Sequence, residues 1–220
     1  MCGRFVIAAD ANALQQAFHL ENVPEFSPRF NIAPTQNAPV ITNVHPKVLS
    51  FYRWGLIPSW SKDIAIGQKM INARTEGIED KPAFRAALRR RRCLVPATGF
   101  YEWQKRDDGK APHYIHLTDQ PIFALAGLWE VWRDAEKQEL RTFTILTTAA
   151  NPFMQSLHDR MPVILRREDY DLWLTQEEVP ADVLRPLLRQ YDPDAMSAYE
   201  VSRAVNRPTQ DSPELIQPVA

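Results

Sequence analysis

RCLVPATGFYEWQKR, residues 92–106, is the stretch on which the fold turns. It is dense in Val, Phe, Tyr and Trp, side chains that suit a pleated, half-buried surface. Three more segments of the same kind follow: PHYIHLT (112–118), PIFALAGLWEVWRD (121–134) and LRTFTILTTAA (140–150). Polar turn signals, DDGK, DQP and DAEKQ, stand between them. Sequential hairpins of this kind predict an antiparallel sheet, and the chain on either side shows no βαβ alternation. The expected class is α+β: a single domain, residues 1–220, with a largely antiparallel, barrel-like β core flanked by helices.

Working outward, RFVIA (4–8) reads as a first strand, and DANALQQAFHL (10–20) as a helix capped by Asp10, with Leu14, Ala17 and Phe18 on its inner face. PRFNIAPTQ (28–36) reads as ordered coil. APVITNV and KVLSFYRWGL, separated by a His-Pro turn, predict a hairpin. Residues 62–82 lose periodicity and read as a long loop. DKPAFRAALRRRR (80–92) predicts a helix capped by Asp80, burying Phe84, Ala87 and Leu88 and grouping Arg85, Arg89 and Arg92 at i, i+4, i+7. Beyond the central strands lie a short helix at 151–158, an extended RMPVIL, two amphipathic helices, a last strand MSAYEVS and a polar, proline-containing tail, 203–220.

The 220 residues carry 26 Lys and Arg against 27 Asp and Glu, so bulk charge suggests no polyanion partner and any such binding must come from local clusters. Two cysteines are too few for a disulfide-stapled secreted fold. No stretch approaches the roughly 20 apolar residues of a membrane span, and FVIAA is too short for a signal sequence. The expected location is the cytoplasm or the nucleoid. GxGxxG, the P-loop, GxSxG, HExxH and paired CxxC are absent, which removes the usual support for dinucleotide, NTP, serine-hydrolase and zinc chemistry. No metal and no cofactor are expected.

Cys2 follows the initiator methionine directly. Removal of Met1 leaves a free α-amine, ordinarily near pKa 7.7 to 8.0, beside a thiol near 8.5. Amine and thiol together close a five-membered thiazolidine on an aldehyde; alternatively the terminal cysteine attacks an amide with its own amine as base. A small buried hydrophobe is the plainer fate of a cysteine. Glu102 interrupts an aromatic strand, sharing a face with Phe100 and opposing Tyr101 and Trp103. It is either a carboxylate held beside aromatics, suited to act as a general acid, or a solvent-face Glu. His158 in SLHDRMP is either an acid/base group or an exposed loop histidine. Asn72 and Arg74 share a face if INART is extended. Arginines 4, 74, 85, 89, 92 and 160, with Trp54, Trp60 and Trp103 as stacking platforms, compose what a single-strand groove needs, although arginine stripes are commonly solvated helix faces.

MCGRF, FNIAPTQ, WGLIPSW, INARTEG, RCLVPATGFYEW, FALAGLWE, ILTTAAN and HDRMPVIL, in order from Met1 to about Leu165, together resemble the SRAP family, named for SOS-response-associated peptidase. The resemblance implies a barrel-like α+β domain, acting as a monomer, that senses abasic sites in single-stranded DNA and cross-links to them through the terminal cysteine. It assigns catalytic roles to Cys2, Asn72, Glu102 and His158, and DNA contacts to Arg4, Arg74, Trp103 and Arg160. An N-terminal-nucleophile peptidase, including self-removal of Met1, and a passive single-strand binder are the alternatives.

Overall fold

The computed structural model describes residues 2–107 and 109–219, and its strands fall into two sheets. Five strands close a barrel: β3 (Asn37–Thr42), β4 (Leu49–Trp54), β6 (Arg92–Ala97), β9 (Phe123–Arg133) and β10 (Glu139–Ala149). They run in the ring β10–β4–β3–β6–β9 and back to β10. All these pairs are antiparallel except β10 with β4. β10 also carries β5 (Asn72–Arg74), parallel, and β11 (Arg160–Pro162), antiparallel, while β12 (Ile164–Leu165) lies on β9. The second sheet is open, in the order β13 (Met196–Glu200), β8 (Gly109–Leu117), β7 (Gly99–Arg106), β1 (Phe5–Ile7), β2 (Arg29–Ile32).

The expected fold class holds, with one refinement: the four β segments do not form one meander. Residues 92–106 are two strands, β6 in the barrel and β7 in the open sheet, and the chain changes sheet at Thr98. That residue is fixed from both sides, its N–H donating to the Val6 carbonyl at 2.8 Å and its Oγ1 accepting from the Ala8 N–H at 2.9 Å. Gly99 follows because a Cβ there would stand 2.4 Å from the Tyr114 ring.

One apolar core joins the sheets. Phe5 meets Trp54 edge-on at 5.1 Å, and Trp54 stacks on Phe143 at 6.4 Å, all three fully buried. Each such side chain stabilises the fold by roughly 1.5–3 kcal/mol. Trp54 is therefore core and not a stacking platform. A smaller cluster of Val6, Tyr101, Tyr114, Val201, Val205 and Leu215 covers the other face of the open sheet. The segment from 203 onward packs here: Asp211 pairs with Arg29 and accepts the Phe30 and Asn31 N–H groups.

Helix α1 (Ala11–Phe18) forms as expected, with Asp10 accepting the Ala13 N–H, Leu14 buried and Phe18 stacked on Tyr170. Three local readings are corrected. PRFNIAPTQ contains β2, and the long loop contains β5; both strands are too short to show a period and exist because a partner strand lies beside them. Helix α2 spans only Arg85–Arg90. Arg92 lies in β6, fully buried, and donates to the carbonyls of Leu88, Arg89, Trp173, Thr175 and Glu177. It clamps α2 to α3 (Tyr170–Trp173) and the segment before α4 (Ala181–Leu184), so it is no part of a basic stripe. Among the described residues no helix is long and apolar enough to cross a membrane.

Candidate active site

The sheets meet where β1, β5, β7 and β11 come together. Cys2 enters β1 fully buried, its Sγ 3.6 Å from the Arg4 carbonyl oxygen. Met1 lies outside the described residues. Asn72 opens β5, set opposite Ile145 by the parallel pairing with β10. From there its Nδ2 donates to the Cys2 carbonyl at 2.9 Å, while its Oδ1 is buried without a hydrogen-bond donor among the described residues. The asparagine thus holds Cys2 by one side of its amide and keeps an acceptor in reserve.

Burial pushes the Cys2 thiol well above its ordinary range, and the nearby Glu102 carboxylate pushes it further. Glu102 sits on β7 with 2% of its surface exposed, its backbone paired with His113 of β8. Alternation along β7 is as expected: Phe100 belongs to the main core and Tyr101 to the smaller cluster, which puts Glu102 on the inner side. The solvent-face reading of Glu102 falls.

His158 follows a turn of 3-10 helix, Met154–Ser156, whose Met154 N–H is capped by Asn151 Oδ1 at 2.9 Å. Its Nδ1 is 2.9 Å from the Arg160 N–H and 2.7 Å from Asp159 Oδ1. The first contact requires Nδ1 to accept and the second requires it to donate, so the two belong to different tautomers of the ring. Glu102 and His158 line one cleft of about 760 Å3, together with Arg74, Trp103, Gln104, Lys105, Lys110, Ser156, Leu157, Asp159 and Arg160.

Of the residues expected to meet DNA, Arg74, Trp103 and Arg160 line this cleft. Trp103 is anchored by its Nε1–H to Asn206 Oδ1 at 2.7 Å. Arg160 is held by a bidentate pair with Glu76, at 2.6 and 2.9 Å, and by the Thr147 carbonyl. That guanidinium keeps the Glu76 carboxyl below the usual range. Arg4 is not among the lining residues; its Nη1 donates to the Val205 carbonyl, and burial lowers its pKa. Arg85 and Arg89 sit on α2, outside the cleft, with Arg89 paired to Glu178.

Sequence reasoning missed Gln104, Lys105, Lys110 and Glu76. Gln104 was within reach, because it shares the Glu102 face of β7; Glu76 carried no local signal. Among the described residues no three His, Cys, Asp or Glu side chains gather to hold a metal ion.

A small α+β barrel that seats Cys2 beside an amide and a carboxylate, with an imidazole lining the same cleft as that carboxylate, defines the class of protein. The sequence matches the family model described as SOS response associated peptidase (SRAP) over residues 1–208, and the chain belongs to that family. It is 45% identical to the abasic site processing protein YoqW of Bacillus subtilis, over 99% of each chain. It is 30% identical to the abasic site processing protein HMCES of Xenopus tropicalis, covering 86% of this chain and 66% of that one. The crystal structure of a Bacteroides thetaiotaomicron protein, 28% identical, superposes over the whole of both chains with a TM-score of 0.89.

Proposed function

We propose that this chain processes abasic sites in single-stranded DNA, acting as a monomer, by forming a covalent cross-link through Cys2 once Met1 has been removed. The observation that carries the reading is the Asn72 Nδ2 contact to the Cys2 carbonyl, which fixes the terminal residue at the meeting point of the sheets. The names of the curated relatives support a DNA lesion as the target.

The ring-opened abasic sugar presents a C1′ aldehyde. With the thiol held protonated by burial, the α-amine attacks first. Loss of one water gives an imine at C1′. The Cys2 sulfur then adds to that carbon, its proton passing to the imine nitrogen, and the five-membered thiazolidine closes. Overall, amine, thiol and aldehyde give the ring and one water, with no redox change. Glu102 shuttles the proton at the amine, the free Oδ1 of Asn72 accepts an N–H of the amine or a sugar hydroxyl, and His158 works on the sugar hydroxyl in ring opening and reversal. The same imine permits slow elimination and strand cleavage, an abasic-site lyase activity. The shielded lesion is then withheld from other nucleophiles.

The family's description names a peptidase, and Cys2 with Glu102 and His158 also suits self-removal of Met1. Intact-mass spectrometry tests both steps. The purified protein is expected to lack Met1, then to gain the oligonucleotide mass less one water with an abasic single strand and nothing with an undamaged one. A trimmed protein that never gains mass overturns the cross-link.

A further inference from the structure

The hairpin of β7 and β8 carries an arrangement that the chemistry at Cys2 does not use. In its register Lys105 stands directly opposite Lys110, and both are exposed and line the cleft. Like charges facing each other across an antiparallel pair are destabilising unless something anionic lies between them. Neither lysine joins an ion pair among the described residues, whereas the next residue, Arg106, pairs with Glu200 at 2.9 Å. Two residues earlier on the same face stands Trp103, half-buried and also lining the cleft. An aromatic followed at strand spacing, about 7 Å, by paired cations matches a base stacked on a ring with its phosphate beyond. Along β7, Lys105 is about 10 Å from Glu102 and on the opposite face of the strand; the cleft reaches both, which puts the lysine pair about one to two nucleotides from a sugar reacting at Glu102.

We infer that Lys105 and Lys110 form a phosphate grip, an outer binding subsite that takes the backbone phosphate of a nucleotide flanking the lesion. This rests on the single-stranded DNA reading above. The grip acts on initial binding and takes no part in the covalent step.

The test is fluorescence anisotropy with a single strand carrying a tetrahydrofuran abasic analogue, which binds without reacting. The K105A/K110A protein is expected to bind about tenfold more weakly at about 50 mM salt, with a log–log salt slope shallower by about 1.4, two contacts at about 0.7 each. K105R/K110R restores binding. The melting temperature of the alanine variant is expected to stay level or rise, since a repulsion has been removed. Replacing single phosphates with neutral methylphosphonates should weaken the wild type at a position within two nucleotides of the lesion and leave the alanine variant indifferent there. Wild-type affinity and slope in K105A/K110A would overturn the grip, as would a wild type that does not bind the analogue at all. If binding depends on the lysines yet a natural abasic strand gives no adduct, the grip stands and the cross-linking reading fails.

Discussion

Cys2 and Cys93 are equally buried, yet they sit in regions that make opposite use of burial. Cys93 faces Gly127 across the β6–β9 pair of the closed barrel, so tightly that a Cβ on Gly127 would come within 2.7 Å of its sulfur. Burial alone raises its thiol pKa. Cys2 lies where the barrel gives way to the open sheet, and its surroundings add an amide that grips its carbonyl and a carboxylate that acts on its thiol. Burial silences a thiol in both places; polar groups and an adjoining cleft are what separate a reaction centre from a piece of packing.

The largest expected effect tests that contrast directly. Cys2→Ser should abolish the thiazolidine adduct while leaving weak imine-dependent strand cleavage, whereas Cys93→Ala should leave adduct formation intact and lower stability by about 1 kcal/mol. An adduct that persists in Cys2→Ser, seen by mass spectrometry, breaks the comparison. Next, Asn72→Ala removes the grip on the terminal residue without touching the nucleophiles. Single-turnover cross-linking should slow by about 10²-fold, the scale of a 1 Å misplacement, with unfolding barely changed. An unaltered rate would reduce Asn72 to packing.

The smallest effect is the one the two thiols share. Both have native pKa values raised by burial, and an unfolded thiol titrates near 8.5. Below that pH both states hold the proton and nothing changes. Above it the unfolded chain binds fewer protons than the native one, so stability falls as pH rises, by at most about 1.4 kcal/mol per pH unit for each thiol. Denaturant titrations between about pH 7.5 and 10 should show the decline, with Cys93→Ala halving it. A flat profile would mean that both thiols ionise in place.

Much of this was legible in the chain. The hairpins β3–β4, β7–β8 and β9–β10 announce themselves because strand period and turn residues are local properties. So does α1, through Asp10. The short strands β2 and β5 do not, since three or four residues carry no period and become strands only against β1 and β10. Arg92 misled because helical spacing runs through RRRR unbroken, while three of the five carbonyls that capture its side chain come from residues more than 80 positions away. At the site, position alone singled out Cys2. Alternation left Glu102 undecided until its face of β7 was seen to be the buried one. Lys105 and Lys110 were hidden because each looks ordinary, and only the hairpin register makes them a pair.

β10 touches β9, β4, β5 and β11, and through the last two it sets both Asn72 and Arg160 in place. Cys2 precedes by some 140 residues the strand that organises its neighbours. Because such distant pairings form late in folding, Cys2 is made well before the surroundings that would tune it are assembled. Maturity of the fold is therefore itself a timer, withholding the proposed aldehyde trap until the barrel has shut.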